Sequence, residues 1–197
     1  MKKHLILDGL LSENHGYLKV SDAVSADISR TYISEYVRER GLERVADGLY
    51  MSSEAWLDGM YIVQFRYAQA VFSHESALYL LGMAEREPTR YSVTLYTGAS
   101  TARLTKEGIK VYKVKRELFE LGLSEAMSPV GHGLRVYDVE RTICDLVRSR
   151  RTVEIQDYQS ALKEYVTRKD KDIHRLMRYA ELFSVDKIIN QYLEVLL

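Results

Sequence analysis

Arg30, Thr31, Ser34 and Arg38 recur at the spacing that brings side chains to one side of an α-helix. At about 100° per residue from Ile33, Val37 and Tyr36 fall beside Ile33. Thr31, Ser34, Glu35 and Arg38 fall opposite, with Arg30 on the flank. Such a face could read a nucleic-acid groove. Arginine can chelate a guanine edge, and small hydroxyls can approach bases or phosphates. Arg44 stands close behind in sequence and is a fifth candidate for DNA contact.

The elements needed to hold these residues can be read from the flanking chain. Ser29 suits a helix N-cap, because its hydroxyl accepts from an orphan backbone N–H. Gly41 is the residue type that commonly follows a helix end. Leu42–Ala46 and Leu49–Met51 then flank Asp47-Gly48, a pair that favours a two-residue type I′ hairpin turn. An earlier helix is expected near Val20 to Ala26 with Val24 inward, and Asp27 stands in the tight turn where glycine is usual. Asp tolerates left-handed backbone better than most non-glycine residues. Another short helix is expected over residues 2–12. Two helices followed at once by a hairpin is the outline of a winged helix-turn-helix, expected here over residues 1–52.

Composition sets limits on this reading. The 197 residues suit one large or two small domains, and 46% hydrophobic content is enough for a core. Formal net charge is zero, and residues 1–50 carry seven Lys/Arg against eight Asp/Glu. Phosphate attraction must therefore come from local placement of Lys19, Arg30, Arg38, Arg40 and Arg44. Cys144 is the one cysteine, which excludes an intrachain disulfide and a cysteine zinc cluster. Asp8 interrupts the apolar run after Met1-Lys2-Lys3, and no stretch approaches a membrane span, so a cytoplasmic location is expected.

Residues 53–197 are expected to form a second domain: a connecting helix, a small sheet, then a helical part. Trp56, Met60, Val63 and Tyr67 recur at helical spacing and predict the connecting helix over 54–67. Ser73 would cap a helix ending at Gly82, with His74 a surface or cap histidine. Tyr91–Tyr96, Ile109–Val114 and Leu134–Tyr137 alternate like strands, with a fourth strand over Glu117–Leu121. Asp138 would cap a helix whose Ile143, Leu146 and Val147 face a core, while Arg141, Thr142 and Asp145 lie on the other side. Cys144 reads as a buried small hydrophobe. Further helices follow, one around Ile155, Tyr158, Leu162 and Tyr165, one from Ile173, and a last one capped by Ser184. Basic clusters at Arg148-Arg150-Arg151 and Arg168-Lys169-Lys171 read as solvated loops. The class is α+β.

No phosphate-binding loop, dinucleotide fingerprint, zinc-protease motif or serine-hydrolase elbow occurs, and the five histidines have no metal-ligand spacing. No cofactor, metal or catalytic activity is expected. A nucleic-acid enzyme working through Glu140 or Asp145 is the weakest alternative.

Several stretches together resemble a known family. Gly16-Tyr17-Leu18, Ile28-Ser29-Arg30-Thr31 and Leu42 through Tyr50 are similar to the N-terminal winged helix of the AbiE-type antitoxins. Ser73-His74-Glu75-Ser76-Ala77-Leu78 and Val139 through Leu146 are similar to that family's C-terminal domain, in the same order. The resemblance implies a bifunctional antitoxin of a type IV toxin–antitoxin pair linked to abortive infection by phage. Its winged helix would repress its own operon by binding inverted repeats in the promoter. Its C-terminal domain would counter a nucleotidyltransferase-like toxin without a stable complex. Arg30, Thr31, Ser34, Arg38 and Arg44 are the implied DNA contacts, and Arg141, Asp145, Arg148 and Arg150 the candidates for antitoxin function. Glu35 departs from the more basic recognition helix usual in the family. A winged-helix regulator with a ligand-sensing C-terminal domain and no toxin partner is the competing expectation.

Overall fold

The computed structural model describes residues 2–196. The chain is α+β, with ten α-helices among the described residues and two small sheets. It divides into two compact units: residues 1–68 with 127–133, and 69–126 with 134–197. The first unit therefore reaches past the expected limit at residue 52 and takes in a distant segment.

In the first unit, α1 (Lys2–Glu13) leads to β1 (Tyr17–Lys19), α2 (Val20–Ser25), α3 (Arg30–Arg40), the hairpin β2 (Glu43–Ala46) and β3 (Leu49–Met51), and α4 (Gly59–Arg66). The strands form an antiparallel sheet in the order β1-β3-β2, with Leu18 opposite Tyr50 and Arg44 opposite Tyr50 from the other side. Leu7, Leu18, Ala23, Ile28, Ile33, Tyr36 and Leu42 form its core. Asp27 does adopt left-handed backbone, with φ 60°. Three expectations fail here. Val24 is exposed, and Ala23 is the residue that α2 buries. Tyr17–Lys19 forms a strand between the two helices expected over residues 2–12 and near Val20 to Ala26. The hairpin turn is not type I′, because of its two central residues only Gly48 has positive φ, and a bulge between Arg44 and Ala46 absorbs the register. Finally, α4 begins only at Gly59, with Asp58 as its N-cap, and Trp56, 82% exposed, precedes it in an irregular segment.

The second unit contains β4 (Val71–Phe72), α5 (His74–Leu80), β5 (Ser92–Tyr96), α6 (Ala102–Lys106), β6 (Lys110–Val114), β7 (Leu123–Met127) and β8 (Gly133–Tyr137), then α7 (Val139–Arg148), α8 (Ile155–Thr167), α9 (Ile173–Leu182) and α10 (Asp186–Leu196). The turn joining β7 to β8 falls in the segment counted with the first unit. The mixed sheet runs β6-β5-β4-β8-β7, parallel at β5–β6 and at β4–β8 and antiparallel at β4–β5. The expected strand over Glu117–Leu121 is instead a short 3-10 helix, Arg116–Leu118, and the strand starts at Leu123 beyond the Gly122 turn. Ser184 does not cap the last helix. With φ 56° it closes α9, its N–H donating to the Glu181 carbonyl, and α10 starts two residues later. Ile155 is exposed, whereas Tyr158, Leu162 and Tyr165 do turn inward.

The centre of this unit is α7, whose residues 140–147 are all buried. A helix buried on every side must satisfy its polar groups internally. Cys144 lies in this core, and burial raises its thiol above the usual range. Among the described residues, no helix is long and apolar enough to cross a membrane.

Candidate nucleic-acid interface

The segment between Ala26 and Leu42 folds as the residue types dictate. Ser29 Oγ accepts from Tyr32 N at 3.4 Å, and Gly41 takes left-handed backbone at φ 62° to end α3. Ile33 and Tyr36 are buried beneath the helix. The Tyr36 hydroxyl and Arg40 Nη2 both donate to Asp8 Oδ1 of α1, each at 2.6 Å. The hydrogen bond from Tyr36, outweighing the opposing effect of burial and aided by His4 and Arg40, holds the Asp8 carboxyl below its ordinary value. Burial, then the Asp8 contact, pushes the Tyr36 phenol well up. This tie fixes how α3 lies on α1, and it commits Arg40 to a structural role.

The opposite face of α3 is open. Arg30, Thr31, Ser34 and Arg38 are all exposed, with exposed Glu35 among them. The structure thus brings together four of the five DNA-contact candidates. Ser34 Oγ donates to the Arg30 carbonyl at 3.0 Å, so the hydroxyl retains acceptor capacity for a base amino group and has spent its hydrogen. Arg44 is exposed on β2, but its guanidinium is held by Asp47 at 2.5 Å. It therefore stands as half of an exposed ion pair.

Beside this face lies an open cleft of about 480 Å³ between α2, α3 and the hairpin turn. Arg30, Ser34 and Asp47 line it with the apolar Val20, Val24, Val37 and Phe65. Val24 is exposed because it faces this cleft.

A second constellation in the first unit joins residues far apart in sequence. Asp58 caps α4, Oδ1 accepting from Tyr61 N at 3.0 Å. Its Oδ2 accepts from Ser128 Oγ at 2.5 Å and from His132 Nδ1 at 2.7 Å. Tyr61 stacks on the His132 ring at 3.7 Å between centroids. Tyr17 Oη accepts from Asp58 N and donates to the Trp56 carbonyl. Burial alone would raise the Asp58 carboxyl, but hydrogen bonds from His132, Ser128 and Tyr61 N outweigh it and bring it below its ordinary value. Serine, histidine and aspartate meet here without forming a nucleophilic relay. Ser128 and His132 both donate to Asp58, whereas a serine nucleophile must hand its proton to the imidazole. All three are buried. The constellation is a clasp that holds residues 127–133 in the first unit. Gly131-His132-Gly133 reads in sequence only as a turn, and no local spacing links it to Asp58.

In the second unit the candidates divide. Arg141 and Asp145 are fully buried and paired at 3.0 Å. Arg141 Nη1 also donates to the carbonyls of Leu118 and Leu121, at 2.8 and 2.6 Å. Its guanidinium lies between the Tyr137 and Phe183 rings, at 3.9 and 4.4 Å. Burial raises the Asp145 carboxyl, opposed by Arg141 and Arg148. These two residues staple the loop before β7 to α7. The expected outward polar side of the helix, Thr142 included, is in fact interior. Arg148 is partly exposed, 3.5 Å from Asp145, and Arg150 is exposed with Nη1 donating to the Val147 carbonyl.

His74 is also interior, not superficial. It is fully buried with φ 51°, its ring stacked on Tyr112 at 3.4 Å and its nitrogens each 3.0 Å from the hydroxyls of Ser73 and Ser149. Burial, then the positive charges of Arg148 and Lys110, hold its imidazole well below the ordinary range. Among the described residues, no group of three or more histidine, cysteine or carboxylate side chains is placed to hold a metal.

No family model matches this chain, and no curated protein matches it. Among solved structures, it is similar to the crystal structure of the RV2827C protein from Mycobacterium tuberculosis. The TM-score is 0.58 at 17% sequence identity, covering 89% of this chain and 70% of that one. The likeness is one of fold.

Proposed function

We propose that the first unit is a winged helix-turn-helix that binds duplex DNA, with α3 as its recognition helix and β2–β3 as its wing. The observation that carries this is the exposed set Arg30, Thr31, Ser34 and Arg38 on one face of a helix whose other face is packed and tied to Asp8. With the resemblance of its motifs to the AbiE-type antitoxins, the reading extends to the whole chain. It is then a non-catalytic antitoxin that represses its own operon at promoter inverted repeats and opposes a nucleotidyltransferase-like toxin without a stable complex. Arg148 and Arg150 remain the accessible candidates for the antitoxin half, while Arg141 and Asp145 support the scaffold.

A gel shift with the DNA upstream of its own gene tests the repressor half. Binding is expected at low salt. Loss of a bidentate base contact through Arg30→Ala or Arg38→Ala should cost about 1–3 kcal/mol and relax specificity at one base. No shift, or a shift unchanged by both substitutions, overturns the assignment of α3. Co-expression with the adjacent gene tests the antitoxin half: a harmless neighbour, or one still toxic beside this protein, leaves a transcriptional regulator without a toxin partner.

A further inference from the structure

Residues 102–116 hold six lysines and arginines against Glu107 as the single acid, in a chain of zero formal charge. They form α6, β6 and the start of the 3-10 helix. Lys110 is engaged, its Nζ 2.9 Å from Glu75 Oε1. Arg103, Lys106, Lys113, Lys115 and Arg116 are exposed. Among the described residues none of these five forms an ion pair with a carboxylate. Arg116 lies over the Tyr96 ring at 4.9 Å, which orients its guanidinium.

The same segment is a sheet edge, because β6 is the terminal strand. Lys110 N donates to the Tyr91 carbonyl, and the Val114 carbonyl accepts from Thr97 N, both at 2.8 Å. Lys110, Tyr112 and Val114 therefore turn their backbone groups into the sheet. By strand alternation Val111 and Lys113 turn theirs outward. An open row of backbone donors and acceptors thus coincides with a concentration of unpaired positive charge.

We propose that the β6 edge docks an acidic, extended polypeptide segment, which adds to the sheet as a sixth strand. Backbone pairing would run through Val111 and Lys113, and carboxylates on the incoming strand would meet Lys113, Lys115 and Arg116. A lysine on an edge strand often serves to repel a neighbouring chain. One charge in mid-strand suffices for that. Here α6 adds Arg103 and Lys106, a set that repels a second copy of β6 but attracts a partner of opposite sign. Nucleic acid would satisfy the cations and leave the outward amides unused.

The test uses the full-length protein and a fluorescein-labelled synthetic heptapeptide of alternating glutamate and valine, followed by anisotropy at ~50 mM salt. Saturable binding is expected. It should weaken by about tenfold or more in the Lys113→Glu/Lys115→Glu variant, and also in Arg103→Glu/Lys106→Glu, which leaves β6 itself untouched. The same peptide N-methylated at alternate amides should fail to bind, and amide exchange at Val111 and Lys113 should slow when the unmodified peptide is bound. Absence of saturable binding overturns the proposal. So does equal binding of the N-methylated peptide, or displacement by single-stranded RNA with no exchange protection, since the edge would then respond to charge alone. An Arg30→Ala/Arg38→Ala variant should bind the peptide as the parent does, which separates this site from the α3 face.

Discussion

His74 is a titratable group held in a dry, positively charged setting, and the sign of its effect follows. Burial and the nearby Arg148 and Lys110 favour the neutral imidazole. Its folded value lies below the ordinary one of 6.5, so its contribution is complete above that pH and is lost as pH falls beneath it. Hydrogen exchange of the α7 amides should report a loss of about 1.4 kcal/mol per pH unit below that point. His74→Asn keeps a residue that tolerates left-handed backbone and removes the titration. It should lower stability at pH 8 yet flatten the slope toward pH 5.5; an unchanged slope would assign the effect elsewhere. Arg141 is the other residue whose role is internal. Arg141→Met leaves the Asp145 carboxyl buried beside a single weaker partner, and should cost about 3–5 kcal/mol in urea unfolding. DNA binding by the surviving folded fraction should be unaltered.

At the scale of elements, local signals and long-range ones were unequally legible in the sequence. The α3 helix was readable because cap, apolar stripe and closing glycine all lie within Ser29–Gly41. The Asp138 cap of α7 was readable for the same reason, and its Oδ1 does accept from Arg141 N at 2.8 Å. The polar stripe of α7 reads as solvated in sequence because a wheel cannot tell a solvated face from one covered by the Leu118 and Leu121 carbonyls and the Phe183 ring. The clasp of Asp58, Ser128 and His132 was invisible because about seventy residues separate its parts, 70 and 74 positions along the chain. The spacing of Trp56 from Met60 fits a helix, but Asp58 accepts from Tyr61 N and starts the helix after it. Close approach also sets the geometry of this loop. A Cβ on Gly16 would lie 2.6 Å from Ala55 Cβ, and Gly16 has φ 85°. Gly16→Ala should therefore destabilise the first unit by about 1–3 kcal/mol, read as faster amide exchange in α3. Wild-type exchange rates in that variant would mean that the loop over Ser52–Ala55 yields without cost.

For the whole molecule, the absence of net charge makes a quantitative statement about binding. A neutral protein gains no general attraction to DNA, so affinity must rest on a few placed cations. On the α3 face only Arg30 and Arg38 are open, Arg40 being tied to Asp8 and Arg44 to Asp47. Under the proposed function, two phosphate contacts per protomer predict a slope of log affinity against log salt of roughly −2. Titration of the gel shift between low and physiological salt measures it directly. A slope near −10 would mean that cations far from α3 carry the binding. Asp47→Asn frees Arg44, and should steepen the slope by about one.

Cys144 sits in the dry centre of α7, and the sequence contains no other thiol. An alkylating reagent added to the native protein therefore has a single target that it can meet only when the second unit opens. The rate of labelling becomes a clock for that opening, set by the core around α7.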